Sequence, residues 1–284
     1  MWLVLLFVHV LGLAGFNLNL RKSLLAKVDQ FTLATIMQTG VAIPAVFLLI
    51  FRPMTFSAYQ PKFYIGLVVE VLLTIGLHVS NVKSLQYLEA SVYPMLYNLR
   101  ILITTVLGIL FLNEHFVLAR IFGGILILLA IFIVRQKSSK SVRSRGIEWG
   151  ITAAFVISFL NLNEKIMINN VGLLNYFPLA IVIAAVIMWA YLLLRNKRVD
   201  KSIILQPQMV QLMVLRSISG YAFILALAAG ALVSVANYIS AMSVIIMVVL
   251  GVLLLGERDY LWRKVLATTV AVAGLTVILL THLL

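Results

Sequence analysis

The chain has 284 residues, 63% of them hydrophobic and only 11% charged, with a formal net charge of +13 and no cysteine. This composition excludes an ordinary soluble domain, and the lack of thiols excludes disulfides and thiolate metal or redox chemistry. The cations lie in short loops between apolar runs, where membrane proteins keep their orientation signals, so the charge does not mark a nucleic-acid partner.

Helices that could cross a hydrocarbon core of ~30 Å at ~1.5 Å per residue are predicted over residues 1–20, 30–51, 63–82, 90–112 and 118–135. Five more are predicted over 147–168, 174–194, 209–230, 231–255 and 262–282. The expected fold is an all-α integral membrane protein with ten transmembrane helices. The first run has no basic segment and no small-residue cleavage motif before Arg21, so it reads as a span and not as a removable signal. It ends in "GFNLNLRKS" (15–23), whose Asn17 and Asn19 need hydrogen-bond partners that lipid cannot supply. The third run contains Glu70, the fourth Arg100 and the eighth Arg216. Residues 209–255 carry no charge except Arg216 and would extend ~70 Å as one helix. That stretch must turn, and the predicted place is Ala228-Ala229-Gly230-Ala231.

The two halves of the chain resemble each other. "FLNLNEKIM" from Phe159 repeats the NLN triplet, with Asn161 standing 144 residues after Asn17. "FLNEHFVLARIFGGILILLAIFIV" (111–134) aligns with "LLGERDYLWRKVLATTVAVAGLTVI" (254–278) at an offset of 143, which places Glu114 on Glu257 and Arg120 on Arg263. Ser91 falls on Ser234 at the same offset. Five spans per half is an odd number, so the second half must run inverted, as in transporters built from inverted-topology repeats. Residues 1–142 and 143–284 are the expected repeats. The odd-numbered loops hold sixteen cations and the even-numbered ones four, which predicts cytoplasmic odd loops and both termini outside.

A charge at mid-bilayer costs at least ~2.5–3.5 kcal/mol on insertion scales, so span-internal ionisable groups point to a pathway. Glu70, Arg100 and Arg216 are each expected near the midplane. They form either a structural ion pair between Glu70 and one arginine, or a site with a spare cation for an anionic or carboxylate-bearing substrate. Glu70 is also a candidate proton-coupling group. Asn17 and Asn161 either end their helices at the headgroup layer or line the pathway. Asparagines two apart point about 200° from each other, so both members of a pair cannot face one cavity on an unbroken helix. Tyr97, with Tyr87, Tyr93, Tyr221 and Tyr238, offers an aromatic surface. His9 and His78 read as hydrogen-bonded packing residues, and Glu114 and Glu257 as caps of helix N-termini.

The five-plus-five spacing, the "LNEHFVLARIFGGILILL" and "LGERDYLWRKV" elements and "SLQYLEASVYPML" resemble the drug/metabolite transporter superfamily, EamA type. The resemblance implies a secondary transporter, not an enzyme, with no bound cofactor and a central cavity lined by spans one, three, four, six, eight and nine. It implies export of a small polar metabolite, such as an amino acid or organic anion, by alternating access. The expected setting is the plasma membrane (the bacterial inner membrane), and the expected partners are a small-molecule substrate, the lipid bilayer and a second copy of the chain in a homodimer. Ile101 and Val244 stand where members often carry a proline. The competing readings are an integral-membrane lipid-modifying enzyme and a translocator of lipid-linked substrates. The enzyme lacks support from any clustered Asp motif, His pair at ligand spacing or Ser/His/Asp set.

Overall fold

The computed structural model describes residues 1–23, 29–51, 61–87, 96–115, 117–134, 144–195, 204–255 and 261–283. Ten helices run through them. The first five are α1 (Trp2–Ser23), α2 (Gln30–Phe51), α3 (Pro61–Tyr87), α4 (Arg100–Leu112) and α5 (Leu118–Val134). The second five are α6 (Ser144–Val171), α7 (Leu173–Leu194), α8 (Pro207–Ala228), α9 (Val233–Leu255) and α10 (Leu261–Leu283). Among the described residues there is no strand.

Helices dominate because a backbone in lipid must satisfy its own N–H and C=O groups within the segment. Phe31–Phe51, Pro61–Asn81, Arg145–Val171, Leu173–Leu194 and Pro207–Ala228 are long and apolar enough to cross a membrane. Among the described residues shorter apolar stretches lie in α1, α4, α5 and α10, and the 13 residues of α4 rise ~20 Å. The protein is therefore a multi-pass helical membrane protein. Large apolar side chains such as Phe47, Phe51, Phe111, Phe122 and Leu194 stay exposed, as a lipid-facing surface requires.

The dominant pairings are α1 with α8 and α9, α6 with α3 and α4, α2 with α7 and α8, α7 with α3, α4 with α9, and α5 with α10. Moving every helix five places along this list returns the same set of pairings. In α9 the run from Val233 to Ser243 is buried, with Ala231 just before it. Close packing of α5 on α10 depends on Gly123 and Gly274. A Cβ added at either would stand 2.6 Å from the other's carbonyl oxygen.

The long apolar stretch turns where its length demanded. Helix α8 stops at Ala228, Gly230 takes φ +98°, and α9 begins at Val233. That φ is one an L side chain rarely adopts, so glycine is the residue for this turn. The fourth span differs from expectation. Residues 88–95 lie outside the described residues, and Arg100 opens α4 instead of sitting mid-helix. Tightened i→i+3 bonds run from Leu99, Ile101 and Leu102 back to Leu96, Asn98 and Leu99, at 3.0–3.1 Å. The helix thus breaks just ahead of Arg100 and Ile101.

Candidate functional site

A continuous set of polar contacts joins six helices at the centre of the bundle. From α1, His9 Nδ1 donates to the Ser219 carbonyl on α8 at 2.8 Å, since that oxygen can only accept. His9 Nε2 then lies 3.0 Å from Ser240 Oγ on α9. Two residues before Ser240, Tyr238 Oη lies 2.8 Å from Thr105 Oγ1 on α4. One residue earlier again, Asn237 Oδ1 accepts from Asn161 Nδ2 on α6 at 3.1 Å. Helix α6 then reaches α3, where Asn163 Nδ2 donates to Glu70 Oε2 at 2.7 Å and to the Gly66 carbonyl at 3.0 Å. The helices in this network are α1, α3, α4, α6, α8 and α9, the six that the resemblance assigns to the central cavity.

The NLN triplets do not end their helices. Helix α1 continues to Ser23 and α6 to Val171. A turn of about 200° between Asn161 and Asn163 lets the two amides serve different neighbours, α9 and α3, from an unbroken helix. The first copy is used differently. Asn19 Nδ2 donates to the Gly15 carbonyl of its own helix at 3.0 Å, while Asn17 is half-buried on α1.

Arg100 is buried at the broken start of α4. Its guanidinium carbon lies 4.7 Å above the Tyr97 ring, and Nε has no hydrogen-bond partner among the described residues. Ser158 of α6 donates to the Arg100 carbonyl at 3.4 Å. Arg216 on α8 is half-buried, with its guanidinium carbon 6.0 Å from the centre of the Phe16 ring of α1. Both arginines lie within electrostatic reach of His9. The structure therefore brings Arg100, Tyr97, Arg216 and Asn161 to one polar layer.

Glu70 is buried, and its partner is an amide. Among the described residues no ion pair joins it to Arg100 or Arg216, so the structural pair considered from sequence is not formed. The carboxylate within electrostatic reach of Arg216 is Glu164, which also feels Glu70. Sequence reasoning missed Glu164 because it follows the NLN triplet and precedes Lys165, which was counted as a loop cation. In the structure both lie inside α6, more than a turn before its end.

His78 donates from Nε2 to Gln38 Oε1 at 3.3 Å, and Gln38 donates to the Ile181 carbonyl at 3.3 Å, so both span histidines are hydrogen-bonded packing groups. Tyr221 Oη donates to the Val41 carbonyl at 3.1 Å, and Tyr87 closes α3; Tyr93 lies outside the described residues. Glu114 is a cap, but of a helix in the other half. Its Oε1 accepts from the Val233 N–H at 2.7 Å, and Oε2 accepts from the Ser234 hydroxyl and, at 3.4 Å, from the Ser234 N–H. Lys165 Nζ donates to the Leu227 carbonyl at 2.7 Å, so a cation meets the end of α8 and an anion the start of α9. Glu257 lies outside the described residues. Among the described residues no group of three or more His, Cys, Asp and Glu is placed to hold a metal ion.

Residues 1–136 match the model of the EamA-like transporter family. This segment of the chain is similar to that family. The EamA-like match ends just past Val134, the last residue of α5, and so covers one set of five helices. A solved structure described as "Crystal structure of protein" superposes with a TM-score of 0.80 over 98% of this chain and 96% of its own, at 14% identity. That likeness carries the fold across both halves. No curated protein matches the sequence.

Proposed function

We propose that this EamA-like protein is a secondary transporter of the plasma membrane that moves a small polar metabolite, an amino acid or organic anion, by alternating access. The observation that carries this reading is Arg100. A guanidinium buried against Tyr97, with an unpartnered Nε, offers a planar fork suited to a carboxylate. It sits where a helix breaks, in a layer that also holds Arg216, Asn161 and His9. Substrate contacts are assigned to Arg100, Arg216, Asn161 and Tyr97, with Asn17 toward one mouth of the pathway.

The halves 1–142 and 143–284 are read as inverted five-helix repeats. The 143-residue register supports this, as does the set of helix pairings that survives a five-place exchange. Repeats that rock about a shared centre expose that centre to one side at a time.

The test is binding and flux in reconstituted vesicles, with a panel of amino acids and organic anions offered on either side. Arg100→Lys is the decisive variant, because lysine keeps the charge and loses the bidentate fork. It should lower the affinity for the carboxylate substrate at least tenfold while the protein stays folded. A folded Arg100→Lys protein with unchanged affinity would remove Arg100 from the substrate site.

A further inference from the structure

We propose that Glu70 and Glu164 form a second site, distinct from the arginine layer, that takes a small monovalent cation, either a proton or a metal ion, as the coupling ion of transport. This assignment rests on the transporter reading above, and deepens it. Both carboxylates are buried, Glu70 at 1% exposure and Glu164 at 9%. They lie within electrostatic reach of each other across the α3–α6 seam.

The hydrogen-bond donors around them are nearly all spent elsewhere. The amide of Asn163 has two N–H groups, one used on the Gly66 carbonyl and one on Glu70 Oε2. The single hydroxyl proton of Tyr176, on α7, goes to the backbone carbonyl of Glu164 at 3.2 Å and not to its carboxylate. Glu164 Oε2 has no hydrogen-bond partner among the described residues.

The charged and titratable neighbours do not fill the gap either. Lys165, next along α6, turns its ammonium to the Leu227 carbonyl of α8. His78 on α3 is engaged with Gln38 of α2, and Arg100 of α4 stacks on Tyr97. Tyr238 of α9 is paired with Thr105. Arg216 of α8 lies within electrostatic reach of Glu164, and among the described residues it forms no ion pair with either carboxylate.

Two carboxylates that feel each other in a low-dielectric interior, with one donor between them, cannot both remain bare anions. A proton shared by the pair, or a metal ion between them, removes the repulsion and supplies the partner that Glu164 Oε2 lacks. The site communicates with the arginine layer through Arg216, which senses the charge on Glu164. Any such coupling is reciprocal: a cation on the carboxylates and a substrate on the arginines must alter each other's affinity by the same factor.

The test uses the purified full-length protein in lipid vesicles and an apolar carbodiimide, which enters membranes and adds to protonated carboxyl groups. Labelled peptides are located by mass spectrometry across a pH series, with sodium or choline as the added cation. The expected result is labelling at Glu70 or Glu164 that falls as pH rises and is absent from Glu70→Gln/Glu164→Gln. Protection by sodium but not choline would identify a metal ion as the ligand, and equal labelling in both would identify the proton. Absence of label at both residues at every pH, with no effect of sodium on thermal unfolding, would overturn the proposal. Labelling of the unmodified protein decides the matter even if the variant fails to fold. The readout needs no substrate, so label without flux would count against the transporter reading alone, and flux without label or sodium effect against this site alone.

Discussion

Replacing Glu114 with alanine should loosen the start of α9, and the size of the effect can be worked out from its bonds. The substitution removes one strong acceptor for the Val233 N–H at 2.7 Å, the partner of the Ser234 hydroxyl, and a long contact to the Ser234 N–H at 3.4 Å. The last is near the geometric limit and adds little. Bonds to a charged group contribute about 1.5–3 kcal/mol each. Glu114 is buried, so water does not take its place. Two effective bonds therefore give a loss of about 3–6 kcal/mol, which corresponds to on the order of 10²–10⁴ in a local opening constant. Hydrogen exchange at the Val233 and Ser234 amides, measured in detergent or nanodiscs, should speed up by about that factor. Glu114→Gln keeps the shape and one acceptor oxygen, fits the same space beside Gly108, and should show roughly half the effect in kcal/mol. Unchanged exchange at both amides in a folded Glu114→Ala protein would refute the reasoning.

The crossing of α5 and α10 should be intolerant of even one methyl group. Gly274→Ala places a Cβ against the Gly123 carbonyl and should destabilise by about 1–3 kcal/mol, read as a fall in the unfolding temperature in detergent; no fall would mean that the two helices shift apart freely. The sixteen-to-four distribution of cations predicts a cytoplasmic 135–146 loop. Ser139→Cys, which would be the chain's first cysteine, should resist an impermeant thiol reagent in intact cells and react once they are opened, and reaction in intact cells would reverse the assigned orientation.

The helices were legible in the sequence because hydropathy and length are local properties. The division of 209–255 followed from arithmetic alone, and Gly230 now explains how the chain makes that turn. What the sequence hid was the identity of partners. Asn161 and Asn163 looked like helix ends because an unpaired amide in lipid is costly, yet their partners lie 76 and 93 residues away on α9 and α3. The same limit applied to Arg100, which stacks on Tyr97 and whose carbonyl accepts from Ser158 of α6, 58 residues away. Glu114 was read as a cap from its turn position. Which helix it capped depended on the fold, since Val233 is 119 residues away.

The distribution of charge between the halves separates scaffold from chemistry. The cap residue Glu114, which ties the first half to α9 of the second, has an acidic counterpart in sequence at the 143-residue offset, Glu257. The buried charges of the central layer have none. At that offset Glu70 meets Met213, Arg100 meets Ser243, and Arg216 stands where the first half has Leu73. If these charges served only to join helices, the matching seams of the other half would need similar joints. They manage without them: Met213 packs directly against Gly40, and Ser243 is buried. The pairings of the helices are common to both halves while their ionisable groups are not. A buried charge that the scaffold does not repeat is an expense without a structural return. Under the proposed transport function, Glu70, Arg100 and Arg216 are therefore better explained by what passes through the bundle than by what holds it together.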